Sequence, residues 1–152
     1  MELPYGISGF YNSDEPKPPE MDVVKYKELC YKIAKDLEAE SPEFVESLYP
    51  ANFYKAVFQL PEKKICLVMN KHYPFLAFAK TAEAERIEFI DYPPGNEAMP
   101  EGFTVLPTAE LEAPVPKTMD DLPDLRLNKG ELDQIKYWKP ETIGQIIFNY
   151  WD

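Results

Sequence analysis

The spacing of apolar residues predicts one long amphipathic helix near the start of the chain. After Asp22, apolar side chains recur every three or four positions, at Val23, Tyr26, Leu29, Cys30, Ile33 and Leu37. This period places them on one stripe of an α-helix. Ser41 is a favourable N-cap residue, and Pro42 is favourable at the first position of a helix. Together they predict a second, short helix that ends before Pro50. We assign residues 22–49 to helices.

The period changes at Phe53, where four short runs rich in aromatic and branched residues begin. They cover residues 53–60, 65–70, 75–80 and 86–92, and short polar connections separate them. Such runs with tight connections are typical of an antiparallel meander. In the first run, apolar residues alternate with Lys55 and Gln59, which predicts one buried face and one that is at least partly wet. We assign residues 53–92 to antiparallel strands.

Two proline-rich segments flank the predicted strands and helices. Residues 1–20 contain four prolines and an aromatic stretch, residues 5–11. They are predicted to form a loop whose aromatic end adds an edge strand or lies over the core. Residues 93–124 contain seven prolines and only short strand candidates, such as residues 103–106. Because proline lacks a backbone donor, this segment is expected at a sheet edge or in extended loops.

The last 25 residues again have helical spacing. Asn128 and Glu131 have the spacing of a capping box before Leu132, Ile135 and Trp138. After Pro140, a second helical pattern follows at Ile143, Ile146, Ile147, Tyr150 and Trp151. With residues 128–152 assigned to C-terminal helices, the sequence predicts a single α+β domain over residues 1–152. Its core is an antiparallel meander of four to five strands, with the N-terminal and C-terminal helices packed on one face.

Composition narrows the class of protein. A chain of 152 residues with 45% apolar residues fits one globular domain. Met1 is not followed by a basic start and an apolar run, so no secretory signal is expected, and no apolar stretch is long enough for a membrane span. Cys30 and Cys66 fall within apolar patterns and are predicted to be buried thiols. These features predict a reduced, cytoplasmic protein.

The chain shows no pattern of residues that predicts a catalytic, cofactor or metal site. His72 is the only histidine, and it lies in a predicted turn without an evident nucleophile. One histidine and two separated cysteines do not form a usual zinc site, and the glycines do not frame a phosphate-binding loop. The clustered aromatic residues are expected to form core rather than a stacking platform for single strands. Glu83, Glu85 and Glu88 could supply the paired carboxylates of a glycosidase, but a solvated turn is the better explanation, because any acidic surface contains such pairs.

Charge is the most informative property of the sequence. The formal net charge is −11, and residues 81–124 alone account for −9, with eleven acids against Arg86 and Lys117. Such a segment is either a solvated loop face or a docking surface that attracts a basic protein. Interleaved apolar residues such as Met99, Phe103 and Leu111 favour docking, whereas the acid excess argues against nucleic acid. The predicted partner-binding residues are Glu83, Glu85, Glu88, Asp91, Glu97, Glu101, Glu110, Glu112, Asp120, Asp121 and Asp124.

At the level of a protein class, the chain resembles the small acidic immunity proteins of bacterial polymorphic and contact-dependent toxin systems. The resemblance rests on size, acidity, the lack of catalytic motifs and the style of the C-terminal run, residues 136–152 (KYWKPETIGQIIFNYWD). It implies a cytoplasmic α+β protein that binds and blocks a toxin domain, often a basic nuclease. No binding residue is carried over from any family.

Three functions follow as hypotheses. The first is a non-enzymatic immunity or inhibitor protein that neutralises a basic toxin domain through its acidic surface. The second is an adaptor or regulatory module of a bacterial cytoplasm that binds a peptide or subunit through its aromatic residues and C-terminal helix. The third is a small hydrolase with a carboxylate-based site, which requires two converging carboxylates in a pocket.

Overall fold

The computed structural model describes residues 2–45, 50–83, 86–116 and 126–152. The strands are β1 (Glu43–Val45), β2 (Phe53–Gln59), β3 (Lys64–Asn70), β4 (Phe75–Glu83), β5 (Arg86–Ile90) and β6 (Thr104–Val105). The helices are α1 (Val23–Asp36), α2 (Pro93–Ala98), α3 (Thr108–Leu111), α4 (Lys129–Trp138) and α5 (Gly144–Ile147). Strands β1 to β5 pair in sequence order and antiparallel, and β6 pairs parallel with the start of β4. The predicted α+β class and antiparallel meander are confirmed.

Helices cover both faces of the sheet, so their predicted placement on one face is wrong. Ile65, Leu67 and Met69 of β3 pack with the buried side of α1. Cys66 and Val68, which point the other way, pack with α3, α4, α5 and the first residues of the chain. A strand buried on both faces has an unbroken apolar sequence, as residues 65–69 do. The apolar run of residues 65–69 was the signal in the sequence that chain also covers the second face of the sheet.

The short helix predicted from Ser41 is also wrong over residues 43–45, which form β1. Phe44 lies opposite Ala56 of β2, and its ring contacts Tyr26 and Tyr31 of α1. Pairing with β2 and this aromatic contact outweigh a weak local cap signal. Residues 46–49, the remainder of that prediction, lie outside the described part of the chain.

The C-terminal half of the last predicted helix is replaced by extended chain. α5 is a single turn, and Phe148 ends it with φ −125° and ψ 99°. The Asn149 carbonyl oxygen then accepts from the Asn52 N–H, and the Asn149 N–H donates to the Asn52 side-chain oxygen. These bonds to the start of β2 satisfy backbone groups that a continued helix would have paired internally. By contrast, the capping box of Asn128 and Glu131 at the start of α4 is confirmed.

The proline-rich segments lie against the sheet. In the first segment, Leu3, Ile7 and Ser8 are buried, so this loop lies over the core and adds no strand. In the second, residues 104–105 form the expected strand, but α2 and α3 were not predicted. Pro93 and Pro94 occupy the first two positions of α2. Backbone N–H groups at the start of a helix have no intrahelical acceptor, so their absence in proline does not weaken the helix.

Glu131 is a fully buried carboxylate that connects α4 to the N-terminal segment. It accepts hydrogen bonds from the backbone of Gly6 at 2.6 Å and of Ser8 at 3.0 Å, and from the Ser8 hydroxyl at 2.6 Å. The Asn128 N–H completes the set at 3.1 Å. Replacement of bulk water by several directed donors is what makes a buried carboxylate tolerable.

We expect Glu131→Gln to lower the free energy of unfolding by about 2 to 4 kcal/mol, because an amide cannot accept from all of these donors. Urea denaturation at neutral pH measures the change. The control is Glu97→Gln on α2, where the side chain is exposed, and a change within about 0.5 kcal/mol is expected. Equal stabilities of the two variants would contradict a structural role for this carboxylate.

Both cysteines are buried and unbonded to each other, as the sequence predicts. Burial raises the pKa of the Cys30 thiol to about 12, which removes the reactive thiolate near neutral pH.

We expect neither thiol to react with a thiol-specific disulfide reagent at pH 8 until the protein is unfolded in urea. Rapid labelling of the native protein would contradict the buried placement.

Candidate interaction surface

The predicted partner-binding acids whose side chains the structure describes are all at the surface. Side chains of six of the predicted residues are exposed: Glu88, Asp91, Glu97, Glu101, Glu110 and Glu112. Glu85, Asp120, Asp121 and Asp124 lie outside the described residues, and of Glu83 only the backbone is described. The structure thus describes the side chains of six of the eleven predicted residues.

These six residues do not share one face of the sheet. α2 lies on the α1 side, where Gly95 contacts the ring of Phe78 so closely that a Cβ atom would come within 2.2 Å of it. α3 lies on the opposite side, where Leu111 belongs to the other core cluster. The segment thus passes around the end of the sheet. Glu97 and Glu101 lie toward α1, and Glu110 and Glu112 toward α5.

Asp91 has an internal role that the sequence pattern did not predict. It follows β5, and its two carboxylate oxygens accept from the Thr108 N–H at 2.9 Å and the Thr108 hydroxyl at 2.7 Å. Thr108 is the first residue of α3, so Asp91 caps this helix from a distant part of the chain. The two hydrogen bonds from Thr108 lower the pKa of Asp91.

The other five exposed acids have no such partner. Within the described residues, the side chains of Glu88, Glu97, Glu101, Glu110 and Glu112 form no hydrogen bond or ion pair. The acids are nevertheless held on ordered elements. Lys32 of α1 donates to the Ala98 carbonyl oxygen at the end of α2 at 2.9 Å, and α3 is fixed by Asp91 and the buried Leu111. Their charges are thus positioned rather than carried on a free tail.

A cleft of about 720 Å³ lies beside β5. Its walls are β5, the end of α3 and the chain from the end of α4 to the C-terminus. Among the described residues, the carboxylates of Glu88, Glu112 and Glu141 line it, together with the cations of Arg86 and Lys139. Five aromatic residues also line it: Phe89, Trp138, Phe148, Tyr150 and Trp151.

Trp138 and Trp151 form a parallel pair in this cleft. Their planes differ by 3° and their ring centroids are 6.3 Å apart. Trp151 is nearly buried and contacts Phe10, whereas 40% of Trp138 and 74% of the neighbouring Tyr137 are exposed. Exposed aromatic side chains of this size are characteristic of the centres of protein interfaces.

Sequence patterns did not reveal the cleft, because its walls come from three separate parts of the chain. Trp138, Tyr150 and Trp151 were assigned to the apolar side of helices, and the early end of α5 places the last two in extended chain instead. The unusual density of aromatic residues after residue 136 was the only signal.

The remaining candidate residues have structural surroundings. The Nδ1 atom of His72 lies 2.7 Å from the Pro19 carbonyl oxygen, beside the N-terminal segment. Among the described residues, no three His, Cys, Asp or Glu side chains are grouped so that they could hold a metal ion. In the same part of the chain, no helix has the length and apolar character needed to cross a membrane.

No protein-family model, curated protein or solved structure matches this chain.

We expect Asp91→Ala to destabilise the protein by about 0.5 to 1 kcal/mol at pH 7. This is at the low end for loss of a helix cap, because solvent screens the exposed carboxylate. Asp91→Asn, which keeps an acceptor, is expected to lose less. Folding lowers the pKa of Asp91, so the ionised carboxylate stabilises the protein at pH values above 3.8, its ordinary pKa. This stabilisation is lost as the pH falls through the pKa of the folded protein. Urea denaturation at pH 7 and pH 2.5 should show the difference between wild type and Asp91→Ala shrinking at the lower pH. A difference that does not change with pH would exclude an ionised cap.

Proposed function

We propose that this protein is a non-enzymatic immunity or inhibitor protein that binds a basic protein, such as the toxin domain of a bacterial toxin system, and blocks its active surface. The observation that carries the proposal is the set of exposed, unpaired carboxylates at Glu88, Glu97, Glu101, Glu110 and Glu112. Like charges on ordered elements repel one another, which is a small cost to the stability of the free protein. An oppositely charged partner converts that unfavourable arrangement into attraction.

The placement of these acids supports steering of a partner. Acids on both sides of this end of the sheet create a negative field, which attracts a basic surface within about a Debye length. Because the charges are held by α2 and α3, little side-chain and loop ordering is required on binding. Residues 81–124 carry −9 of the net charge of −11, so the acid excess is concentrated in this segment of the sequence.

The test is association of the partner as a function of salt. The protein is used to capture basic proteins from its native cell, and the captured protein is then purified. In the test variant Glu97, Glu101, Glu110 and Glu112 are replaced by Lys. We expect the association rate at low salt to fall by about tenfold or more and its salt dependence to flatten, with an unchanged fold.

A matched control removes the effect of total charge. In it Glu28, Glu40, Glu62 and Asp133, which are also exposed, are replaced by Lys, so both variants have a net charge of −3. The control is expected to associate faster than the test variant. Equal rates for the two variants, or a captured partner that is not basic, would refute the proposal.

A growth assay separates inhibition from simple binding. The captured protein is expressed in a bacterial host with and without this protein. Restored growth on co-expression is the result expected of an immunity protein. A partner that is harmless to the host would instead favour the adaptor hypothesis.

A further inference from the structure

β5 is an edge strand with an open outer side. It is the last strand of the meander, and within the described residues its outer backbone groups pair with no other segment. The nearest contacts of this kind are the bridge between Pro114 and Thr142 and the hydrogen bonds around it, which do not involve β5. Unpaired edges are the sites where a further strand can be added.

The cleft follows this edge. Four consecutive residues of β5 line it, Arg86 to Phe89. Because successive side chains of a strand point to opposite faces, a cleft that contacts all four runs along the edge and not against one face. Four residues of a strand span about 13 Å, and the volume is within the usual range for an occupied binding site.

The alternation along β5 defines the pattern of a matching strand. Ile87 and Phe89 pack toward the core cluster that contains α5 and the C-terminal residues, whereas Arg86 and Glu88 point to the other face. An added strand would therefore place apolar residues on one face and polar residues on the other. Residues directly opposite each other on paired strands interact, and opposite charges are favourable there.

The charges around the cleft favour a basic occupant. Among the described residues that line it, the carboxylates of Glu88, Glu112 and Glu141 outnumber the cations of Arg86 and Lys139. Glu88 on the edge strand is the carboxylate placed to face a Lys or Arg of an added strand.

We propose that the cleft beside β5 binds an extended segment of the partner by strand addition, with apolar residues toward Ile87 and Phe89 and a Lys or Arg toward Glu88. The inference rests on the proposed function for the basic character of the partner. To the proposed function it adds how the partner is held. The exposed carboxylates accelerate the encounter with the partner, and backbone pairing along β5 stabilises the complex.

The chain provides a local probe for this test. Its only two tryptophans, Trp138 and Trp151, both line the cleft, so intrinsic tryptophan fluorescence reports on that site. The ligand is the synthetic peptide acetyl-Val-Lys-Val-Arg-Val-Lys-Val-amide, titrated into the intact protein at low salt. We expect a saturable change in tryptophan fluorescence.

Two peptide controls separate strand addition from charge attraction. The first carries N-methyl groups on its three central residues, which removes pairing from both of its edges but keeps every charge. Loss of one or two backbone hydrogen bonds, together with the bulk of the methyl groups at the paired edge, is expected to weaken its binding by about tenfold. The second has Glu at each basic position and is expected to give no saturable change. Equal binding of the N-methylated peptide, or no fluorescence response to the basic peptide, would overturn the proposal.

A matched pair of variants locates the site. Glu88→Lys, on β5, is expected to weaken binding of the basic peptide by about fivefold, because an opposite-charge pair becomes a like-charge pair. Glu97→Lys carries the same charge change on α2, outside the cleft, and is expected to weaken binding by less than about twofold, which is a screened effect. Equal effects of the two variants would show that the peptide responds to overall charge, which contradicts strand addition at β5.

Failure of this proposal and failure of the proposed function have different signatures. If strand addition is wrong, peptide binding is insensitive to N-methylation, while replacement of the four acids still slows partner association. If the steering role is wrong, that replacement leaves partner association unchanged, while the peptide still binds at β5.

Discussion

The sheet has two apolar faces, and covering the second one is the constraint on which the rest of the structure depends. α1 covers one face with a regular helix. The other is covered largely by irregular chain from both ends of the protein, which brings unpaired backbone groups into the core. Such groups must find partners when they are buried. Glu131 supplies acceptors for the N-terminal segment, and Asn52, Asn70 and Asn149, three of the four buried asparagines among the described residues, supply further partners.

The asparagines join both chain ends to the sheet. The side-chain amides of Asn52 and Asn70 each donate to the carbonyl oxygens of Ile7 and Ile147, at 2.8 to 3.0 Å. The Asn149 amide donates to Ser8 and Ile146 carbonyl oxygens. Within the described residues, no buried side-chain nitrogen or oxygen lacks a hydrogen-bond partner. A fully satisfied polar network of this kind specifies one arrangement of the chain ends.

The same covering layer forms the cleft. Gly144 allows α5 to approach α3 and β5, since a Cβ atom there would lie 2.9 Å from the Leu111 carbonyl oxygen and from the Phe89 ring. Beyond α5, the bonds of Asn149 direct Tyr150 and Trp151 away from a helical path. The aromatic residues therefore border the edge of β5 without covering it. A strand edge, an aromatic wall and carboxylates come together because the C-terminal chain is fixed elsewhere.

Local patterns in the sequence determined the elements whose stability is local. The stripe of α1, the capping box of α4 and the four main strands each follow from the spacing of apolar residues and from cap residues. The concentration of acids in one segment is likewise visible in the sequence.

The tertiary structure alone decided that residues 43–45 form a strand, that α5 stops after one turn and that the acids divide between two sides of the sheet. It also decided that Asp91 caps a helix and that residues 86–89 and 138–151 share a cleft. These outcomes depend on contacts between residues far apart in sequence, such as Phe44 with Tyr26 and Asn149 with Asn52. The free energy of those contacts exceeds the small local preferences that periodicity measures.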